Sequence, residues 1–353
     1  MRIAQVSPLF ESVPPKLYGG TERVVSYLTE ELVRRGHEVT LFASGDSQTS
    51  ARLCSPCPAA LRLDPRTIDH LAYQVLMLEQ VFQLSSQFDV IHFHTDYLHF
   101  PGSRFLDFTH LTTLHGRLDL PDLIPLYREF AEMPLVSISD AQRRPLPWVN
   151  WVATVYHGLP EDLYTFYDRP GKYLAFLGRI SPEKGLDQAI AMAQRSGVPL
   201  KIAAKVDRGD TEYFESRIKP LLDDPLVEFV GEIGEQDKNE FLGNALALVS
   251  PITWPEPFGL VFIEALACGT PVLTYPRGSA PELLKSGVTG YLVPNLPAAV
   301  RVIAEIPKLS RRACRRYFET HFTASLMCQA YESVYEKLSR LHTDPPVLAF
   351  RAG

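Results

Sequence analysis

Cysteine and long hydrophobic runs are scarce in this sequence, and positive charge is outnumbered by negative charge. Lys and Arg number 35 against 41 Asp and Glu, a formal net charge of −6, so nothing favours nucleic acid as the main partner, although a local phosphate site stays open. No uninterrupted apolar run reaches the ~18 residues that cross a bilayer. We therefore expect no transmembrane segment, and peripheral contact is the form of membrane association left open.

The cysteines do not form a ligand set. Five are present, and the close pair Cys54 and Cys57 has no second pair that would complete a zinc site. Ordinary loop thiols are the prediction, with a redox or metal site as the alternative. The first residues lack the charged head and apolar stretch of a secretory signal, so the expected compartment is the cytoplasm.

Short β-rich segments alternate with helical periods along the chain. This pattern predicts parallel sheets covered on both faces, and 353 residues suffice for two domains of ~150–180 residues each. The predicted strands are 3–6, 39–43, 90–94, 111–114, 135–138, 152–155, one starting at Tyr173, 200–204, 227–230, 247–250 and 271–274.

A turn-rich segment at 159–171 divides the chain. It predicts a Rossmann-like first domain at 1–160, a Rossmann-like second domain at 171–320, and a C-terminal helix and tail at 321–353 that can pack back on the first. Helical periodicity covers 322–341. Ligands of open parallel sheets bind outside the carboxyl ends of the strands, so two such domains facing each other would enclose a ligand.

Two glutamates, Glu256 and Glu264, carry the strongest chemical signal. From 259 to 267 every residue except Glu264 is apolar, which predicts a helix buried all round. A buried carboxylate needs a partner. That partner is either an Arg or Lys of the same domain or the paired hydroxyls of a ligand, which a carboxylate can bind bidentately.

Glu256 precedes this helix in a loop with a proline on each side, which would aim its carboxylate. If the step to Glu264 were helical throughout, the two carboxylates would lie ~12 Å apart, comparable with the span from the sugar to the ribose of a nucleotide sugar. The amides that open the helix can receive a phosphate oxygen. They belong to Phe258, Gly259 and Leu260.

Two basic residues, Arg179 and Lys184, mark a second segment. Ser181 followed by Pro182 predicts an N-cap and first helical residue, which places both cations at a helix N-terminus. Because cations oppose the helix dipole there, an anion such as a diphosphate leaving group is expected between them. The alternative is a pair of solvated charges near Glu183.

The first domain offers weaker candidates. Gly19 and Gly20 let the backbone approach a ligand closely, but the spacing of a dinucleotide site is missing. His92 and His94 would point to the same side of one strand, without a third metal ligand. His115, at the end of the next strand, is the predicted substrate contact, with a core histidine as the alternative.

At these residues the sequence resembles the large retaining family 4 of the glycosyltransferases, which have the GT-B fold. The resemblance covers nearly the whole chain and is carried mainly by Glu256, seven intervening residues and Glu264, together with Arg179 and Lys184. It implies an α/β protein of two doubly wound Rossmann-like domains facing an interdomain cleft, the first binding the acceptor and the second the nucleotide-sugar donor. It also implies a hexosyltransferase.

The resemblance assigns a role to each matching residue. Glu256 would face the donor sugar and Glu264 the ribose hydroxyls, while Arg179 and Lys184 would stabilise the departing diphosphate. His115 would lie near the sugar. Glu282 matches a family segment near the donor, either as a structural cap or as a contact, a choice that the residues leave open.

Enzymes of this fold generally neutralise the diphosphate with cationic side chains and helix dipoles, so no metal or cofactor is expected, in agreement with the absence of an Asp-x-Asp motif. The family is assigned a front-face route without a protein nucleophile, in which Glu256 stabilises charge at the anomeric carbon.

The partners implied are a nucleotide-sugar donor, with UDP and glucose expected, and an unidentified small-molecule, glycan or lipid-linked acceptor. Alternatives are an epimerase or phosphorylase of the same fold, and a non-catalytic nucleotide-sugar-binding protein.

Overall fold

In the computed structural model, which describes residues 1–16, 19–62 and 64–343, the β-rich segments form two separate sheets. The first sheet is parallel throughout, in the order β3-β2-β1-β4-β5-β6-β7. Its strands are β1 (Arg2–Val6), β2 (Glu38–Phe42), β3 (Arg52–Cys54), β4 (Val90–Phe93), β5 (His110–Thr113), β6 (Leu135–Ser137) and β7 (Trp151–Thr154). The helices of this unit are α1 (Gly20–Arg34), α2 (His70–Gln83), α3 (Phe100–Ser103), α4 (Leu123–Glu129) and the C-terminal α13 (Ala324–Thr343).

The second sheet is also parallel, in the order β10-β9-β8-β11-β12-β13. Its strands are β8 (Tyr173–Arg179), β9 (Leu200–Lys205), β10 (Val227–Gly231), β11 (Ala245–Ser250), β12 (Val272–Thr274) and β13 (Gly290–Leu292). The helices of this unit are α5 (Asp140–Arg143), α6 (Leu186–Ser196), α7 (Thr211–Tyr213), α8 (Glu235–Gly243), α9 (Leu260–Ala267), α10 (Ala280–Leu283), α11 (Leu296–Ile303) and α12 (Arg311–His321).

Both sheets place their first strand in the interior and reverse direction beside it, which is the doubly wound Rossmann-like order that the alternating pattern predicts. Each of the eleven predicted strands corresponds to a strand of the structure. β3 and β13 were missed. Each is a three-residue edge strand, too short to show a period of its own.

The chain crosses between the two units more often than the predicted division at 1–160 and 171–320 implies. Ser139–Pro145 belongs to the second unit although β7 follows it, and the described chain from Ala324 on belongs to the first. α13 begins and ends two residues beyond the predicted 322–341. The tail predicted to follow it lies, from 344 to 353, outside the described residues.

Helix α6 shows how sequence and packing determine these elements. Leu186, Ala189, Ile190 and Ala193 repeat at helical spacing, and all four are fully buried against the second sheet. Gly197 ends the helix with a φ of 70°, in the left-handed region that glycine enters without a steric penalty.

Arg311, at the start of α12, is a buried cation held by uncharged oxygens. It is 5% exposed, and burial lowers the pKa of its guanidinium. Its hydrogen bonds reach the carbonyl groups of Tyr167 (2.6 Å), Ala245 (2.9 Å) and Gly243 (2.8 Å) and the hydroxyl of Thr270 (2.6 Å). One side chain therefore joins α12 to the ends of α8 and β11 and to the turn before β12.

We predict that Arg311→Met lowers the free energy of unfolding by about 3 kcal/mol, because methionine leaves buried carbonyl groups without donors. Urea titration followed by circular dichroism measures the change. Arg316→Met, an exposed position of the same helix, is the control and should stay within about 0.5 kcal/mol of the parent protein. A loss below about 1 kcal/mol for Arg311→Met would contradict the structural role.

Candidate active site

The loop that carries Glu256 is held by hydrogen bonds to three successive carbonyl groups of its own main chain. The amide of Ser279 donates to the Glu256 carbonyl (3.0 Å), and the hydroxyl of Ser279 donates to that of Phe258 (2.6 Å). Between them, the hydroxyl of Ser139 donates to the Pro257 carbonyl (2.6 Å). These three bonds hold the main chain of the loop without using the Glu256 carboxylate, as expected of a preorganised site.

Gly278 makes this close approach possible. Its φ is 53°, and a Cβ at this position would lie 2.2 Å from the carbonyl oxygen of Glu256 and 2.3 Å from its nitrogen. Any larger residue would push the loop away. The glycine therefore belongs to the support of Glu256, although nothing in its local sequence distinguishes it from other turn glycines.

The Glu256 carboxylate lies with Lys184 and Trp254. Its Oε2 forms an ion pair with the Lys184 ammonium and accepts a hydrogen bond from the Trp254 indole nitrogen over 3.0 Å. The ammonium also lies 5.2 Å from the centre of the Trp254 ring. The structure thus brings two predicted site residues into direct contact and adds a tryptophan that the prediction did not assign.

Pro182 is the first residue of a helix and Ser181 precedes it at the N-cap position, as predicted. This helix is a single 3₁₀ turn, Pro182–Lys184, in which the Ser181 side chain caps no amide. Gly185 then adopts a φ of 70°, where a Cβ would lie 2.3 Å from the Pro251 carbonyl oxygen, and α6 starts only at Leu186. The main chain at Pro251 therefore leaves no room for a side chain at position 185, and Gly185 separates the 3₁₀ turn from α6.

Arg179 is surrounded by carboxylates. Its guanidinium lies 2.7 Å from Glu183, and 3.7 Å from each of Asp207 and Asp210. The pairing with Glu183 is the alternative that the sequence left open. A diphosphate that binds here has to compete with these acidic groups, which lowers the net positive charge available to it.

Glu264 is 1% exposed within α9, which is buried on all sides except at its first residues, as predicted. Lys238 of α8 binds its Oε1 over 2.9 Å and also lies 3.4 Å from Glu235. Oε2 of Glu264 is buried and has no hydrogen-bond partner among the described residues. One oxygen therefore has the lysine partner that the sequence allowed, and the other retains capacity for a hydrogen-bond donor.

The segment between the two glutamates is a loop followed by a helix, so the assumption of a continuous helix is wrong. Gly259 has a φ of 89°, and α9 begins at Leu260. The Phe258 ring is buried and packs on His157, with a centroid distance of 4.7 Å, so this residue can contribute only main-chain atoms. The first amides of α9 have no acceptor within the helix.

Glu282 is a structural cap. Its carboxylate accepts hydrogen bonds from the amides of Asp140 (2.8 Å) and Ala141 (2.7 Å) and from the hydroxyl of Tyr156 (3.1 Å). It thereby supplies the acceptor that the first turn of α5 needs and ties Ser139–Pro145 to the second unit. Of the two readings of Glu282 that the sequence left open, the structure supports the cap.

Gly19, Gly20 and His115 belong to the first unit, whereas the other predicted site residues belong to the second. Gly19 precedes α1, and a Cβ there would lie 2.7 Å from Pro15, so close packing accounts for this glycine. Gly20 is the first residue of α1 and is exposed.

The three histidines are hydrogen bonded through their rings. His115 Nε2 lies 2.9 Å from His94 Nδ1, and both ring nitrogens of His92 lie 2.7 Å from hydroxyl groups. Burial lowers the pKa of His115 to about 3. Within the described part of the chain, no group of three or more His, Cys, Asp or Glu side chains could hold a metal ion.

The cysteines are free thiols. Cys54 lies in β3, so its assignment to a loop is wrong, and burial raises the pKa of both Cys54 and Cys57. Among the described helices none is long and apolar enough to cross a membrane.

Sequence reasoning did not identify Lys238 and Trp254, which contact Glu264 and Glu256. The signal for Lys238 was indirect: a buried Glu264 requires a cation, but nothing in the sequence shows which of the many lysines supplies it. Trp254 stands two residues before Glu256, and its indole N–H is a donor that a buried tryptophan usually pairs.

Comparison with known proteins gives two family matches and relatives that align over most of this chain. Residues 18–157 match Glycosyltransferase Family 4, and residues 167–316 match Glycosyl transferases group 1. The α-maltose-1-phosphate synthase of Mycobacterium tuberculosis is 26% identical over 339 residues, covering 82% of this chain and 84% of the relative. The phosphatidyl-myo-inositol mannosyltransferase of Mycobacterium leprae is 26% identical over 382 residues, covering 95% and 97%.

The fold has solved counterparts. The structure of HepE from Anabaena, in complex with UDP and glucose, superposes with a TM-score of 0.74 at 18% identity, covering 96% of this chain and 100% of that one. The two parallel α/β units, the two family matches and the relatives agree with one another. The chain therefore belongs to the family 4 type of glycosyltransferases with the GT-B fold.

Proposed function

We propose that this glycosyltransferase acts in the cytoplasm and transfers a hexosyl unit, with glucose as the first choice, from a UDP-sugar to an acceptor, retaining the anomeric configuration. The observation that carries the donor site is Glu264, whose buried carboxylate has one oxygen on Lys238 and the other without a partner in the described structure. A pair of ribose hydroxyls supplies the donors that such an oxygen requires. The UDP and glucose bound to HepE support this choice of donor.

The remaining donor contacts involve the start of α9, Glu256 and two basic residues. The amides that open α9 receive the diphosphate, because they lack acceptors within the helix and carry the positive end of its dipole. Glu256 faces the sugar from a loop whose carbonyl groups are already bonded. Arg179 and Lys184 stabilise the leaving diphosphate by their positive charge. To do so, each cation weakens its ion pair with Glu183 or Glu256 when the diphosphate binds.

Retention follows from a front-face reaction. The bond between the anomeric carbon and the β-phosphate oxygen breaks, and the electron pair stays on UDP. The acceptor oxygen bonds to the same face of the anomeric carbon, and its proton passes to a phosphate oxygen. Glu256 stabilises the positive charge that develops on the sugar. The acceptor is a small molecule, a glycan or a lipid-linked sugar, and no bound metal takes part in this scheme.

The reaction itself is the first prediction. Incubation with UDP-glucose and an acceptor mixture should release UDP and give a product with the α configuration of the donor, which proton NMR identifies from the anomeric coupling. Added EDTA should leave the rate unchanged, because cations of the chain neutralise the diphosphate. A β-linked product, or a rate that depends on added divalent metal, would contradict this scheme.

Glu256→Gln and Lys184→Met should each lower kcat by about 100-fold, because each removes charge that stabilises the transition state. Steady-state UDP release measures the effect. The matched controls are Glu305→Gln and Lys308→Met, which alter an exposed ion pair of the same unit and should retain the parent rate. Either site variant with an unchanged rate and an unchanged melting temperature would remove that residue from the site.

Glu264→Gln should weaken UDP binding about tenfold, because a neutral amide oxygen is the poorer acceptor for ribose hydroxyls. Lys238→Met should weaken it too, and should also lower the free energy of unfolding by about 3 kcal/mol, because it leaves a buried carboxylate without its cation. Titration calorimetry with UDP and urea titration measure the two effects. Parent-like UDP affinity in Glu264→Gln would exclude the ribose contact.

A further inference from the structure

One face of the first sheet carries polar side chains on three adjacent strands. Gln5 of β1 pairs in register with His92 of β4, and β5 follows as the next strand. Because side chains two residues apart along a strand share a face, His94 continues the row of His92, and His115 continues the row of Thr113. These five side chains lie where the strands end.

Helix α13 covers this polar face with two tyrosines. Tyr331 and Tyr335 are four residues apart, on one side of the helix, and both are fully buried. The Tyr331 hydroxyl lies 2.8 Å from the Thr113 hydroxyl. The Tyr335 hydroxyl lies 2.7 Å from His92 Nδ1 and 3.0 Å from the Gln5 amide nitrogen.

The resulting hydrogen bonds form one unbroken series within the first unit. Its seven members, in order of contact, are Tyr331, Thr113, His92, Tyr335, Gln5, His94 and His115. The six distances between neighbours range from 2.7 to 3.0 Å, which is the normal range for strong neutral hydrogen bonds.

Each histidine in the series carries one ring proton. Burial lowers the pKa of His92 well below its usual range and that of His115 to about 3. His94 is 2% exposed and lies against the ring of His92, and burial of an additional charge there is costly. A neutral imidazole donates from one nitrogen and accepts at the other. If the neighbour on one side of a ring is the donor, the neighbour on the other side must therefore be the acceptor.

Gln5 determines which member of each pair donates along the series, because the nitrogen of a side-chain amide donates and its oxygen accepts. Its Nε2–H donates to the Tyr335 hydroxyl, and its Oε1 accepts from His94 Nε2 over 2.8 Å. Tyr335 then donates to His92 Nδ1, which leaves the proton of His92 on Nε2, facing Thr113.

The position of the ring proton on His115 depends on that of His94. Because His94 donates from Nε2 to Gln5, its Nδ1 is an acceptor, and the proton between the two rings must come from His115 Nε2. All three histidines are then protonated on Nε2. The reverse direction, with the Gln5 amide turned over, would place all three protons on Nδ1.

We propose that Gln5 and Tyr335 are positioning residues that hold His115 as the Nε2–H tautomer, with Nδ1 able only to accept a hydrogen bond. A substrate hydroxyl is the donor that such a nitrogen fits, and this last step rests on the proposed function. The tautomer itself does not depend on it. His115 therefore accepts a hydrogen bond from the substrate hydroxyl and so orients that hydroxyl. It supplies no proton to the reaction.

Nitrogen-15 NMR of the full chain with labelled histidine tests the proposal, since protonated and unprotonated ring nitrogens resonate far apart. His92, His94 and His115 should all show Nε2–H. Gln5→Met should leave His94 and His115 distributed over both tautomers, and Tyr335→Phe should do so for His92. Ser333→Ala, at an exposed position of α13, is the control and should change none. His115 with its proton on Nδ1 in the parent protein would overturn the proposal, as would a pure Nε2–H form in Gln5→Met.

Kinetics separate this proposal from the proposed function. If His115 accepts from a substrate, Gln5→Met should lower kcat/KM for transfer about 5-fold, and Ser333→Ala should not. A mixed tautomer with unchanged kcat/KM would keep the network and remove the substrate contact of His115. An unmixed tautomer with a lowered kcat/KM would remove the network and leave Gln5 a different role.

Discussion

The second unit depends on the burial of one carboxylate in an apolar helix. Glu264 lies in α9, where its neighbours are hydrophobic on all sides, and an unpaired charge there would cost several kcal/mol. Lys238 of α8 supplies the countercharge to one oxygen only. The fold therefore tolerates the charge and at the same time leaves acceptor capacity for a ligand. This combination is typical of a binding site rather than of a core ion pair, which would satisfy both oxygens.

In the loop that carries Glu256, the main chain is fixed by hydrogen bonds that do not involve the Glu256 carboxylate. The carbonyl groups of the Glu256 loop are bonded by two serines, and Gly278 allows the loops to approach closely. The acidic and basic side chains of the site partly neutralise one another. Under the proposed function, a donor with a diphosphate and several hydroxyls replaces those internal pairs, while the hydrogen bonds to the main chain of the loop stay in place.

Local patterns predicted eleven of the thirteen strands that the structure describes, the buried α9 and the need of Glu264 for a partner, because period, polarity and burial are properties of neighbouring residues. They did not predict Lys238 as that partner, since 26 residues separate the two and no spacing links them. Ser181 and Pro182 have the local form of a helix start, but their helix is a single 3₁₀ turn, separated from α6 by Gly185, where the main chain at Pro251 leaves no room for a side chain. The capping of α5 by Glu282 depends on the path of Ser139–Pro145, which no local pattern records.

In the proposed function, the second unit binds a nucleoside diphosphate through Glu264 and the amides of α9. Thermal unfolding with a panel of nucleotides and nucleotide sugars tests this binding, because a ligand at 100 times its dissociation constant adds ~2.7 kcal/mol of stability. We expect UDP and UDP-glucose to raise the melting temperature more than uridine does at the same concentration. A melting temperature unchanged by every nucleoside diphosphate and nucleotide sugar would contradict the proposed binding.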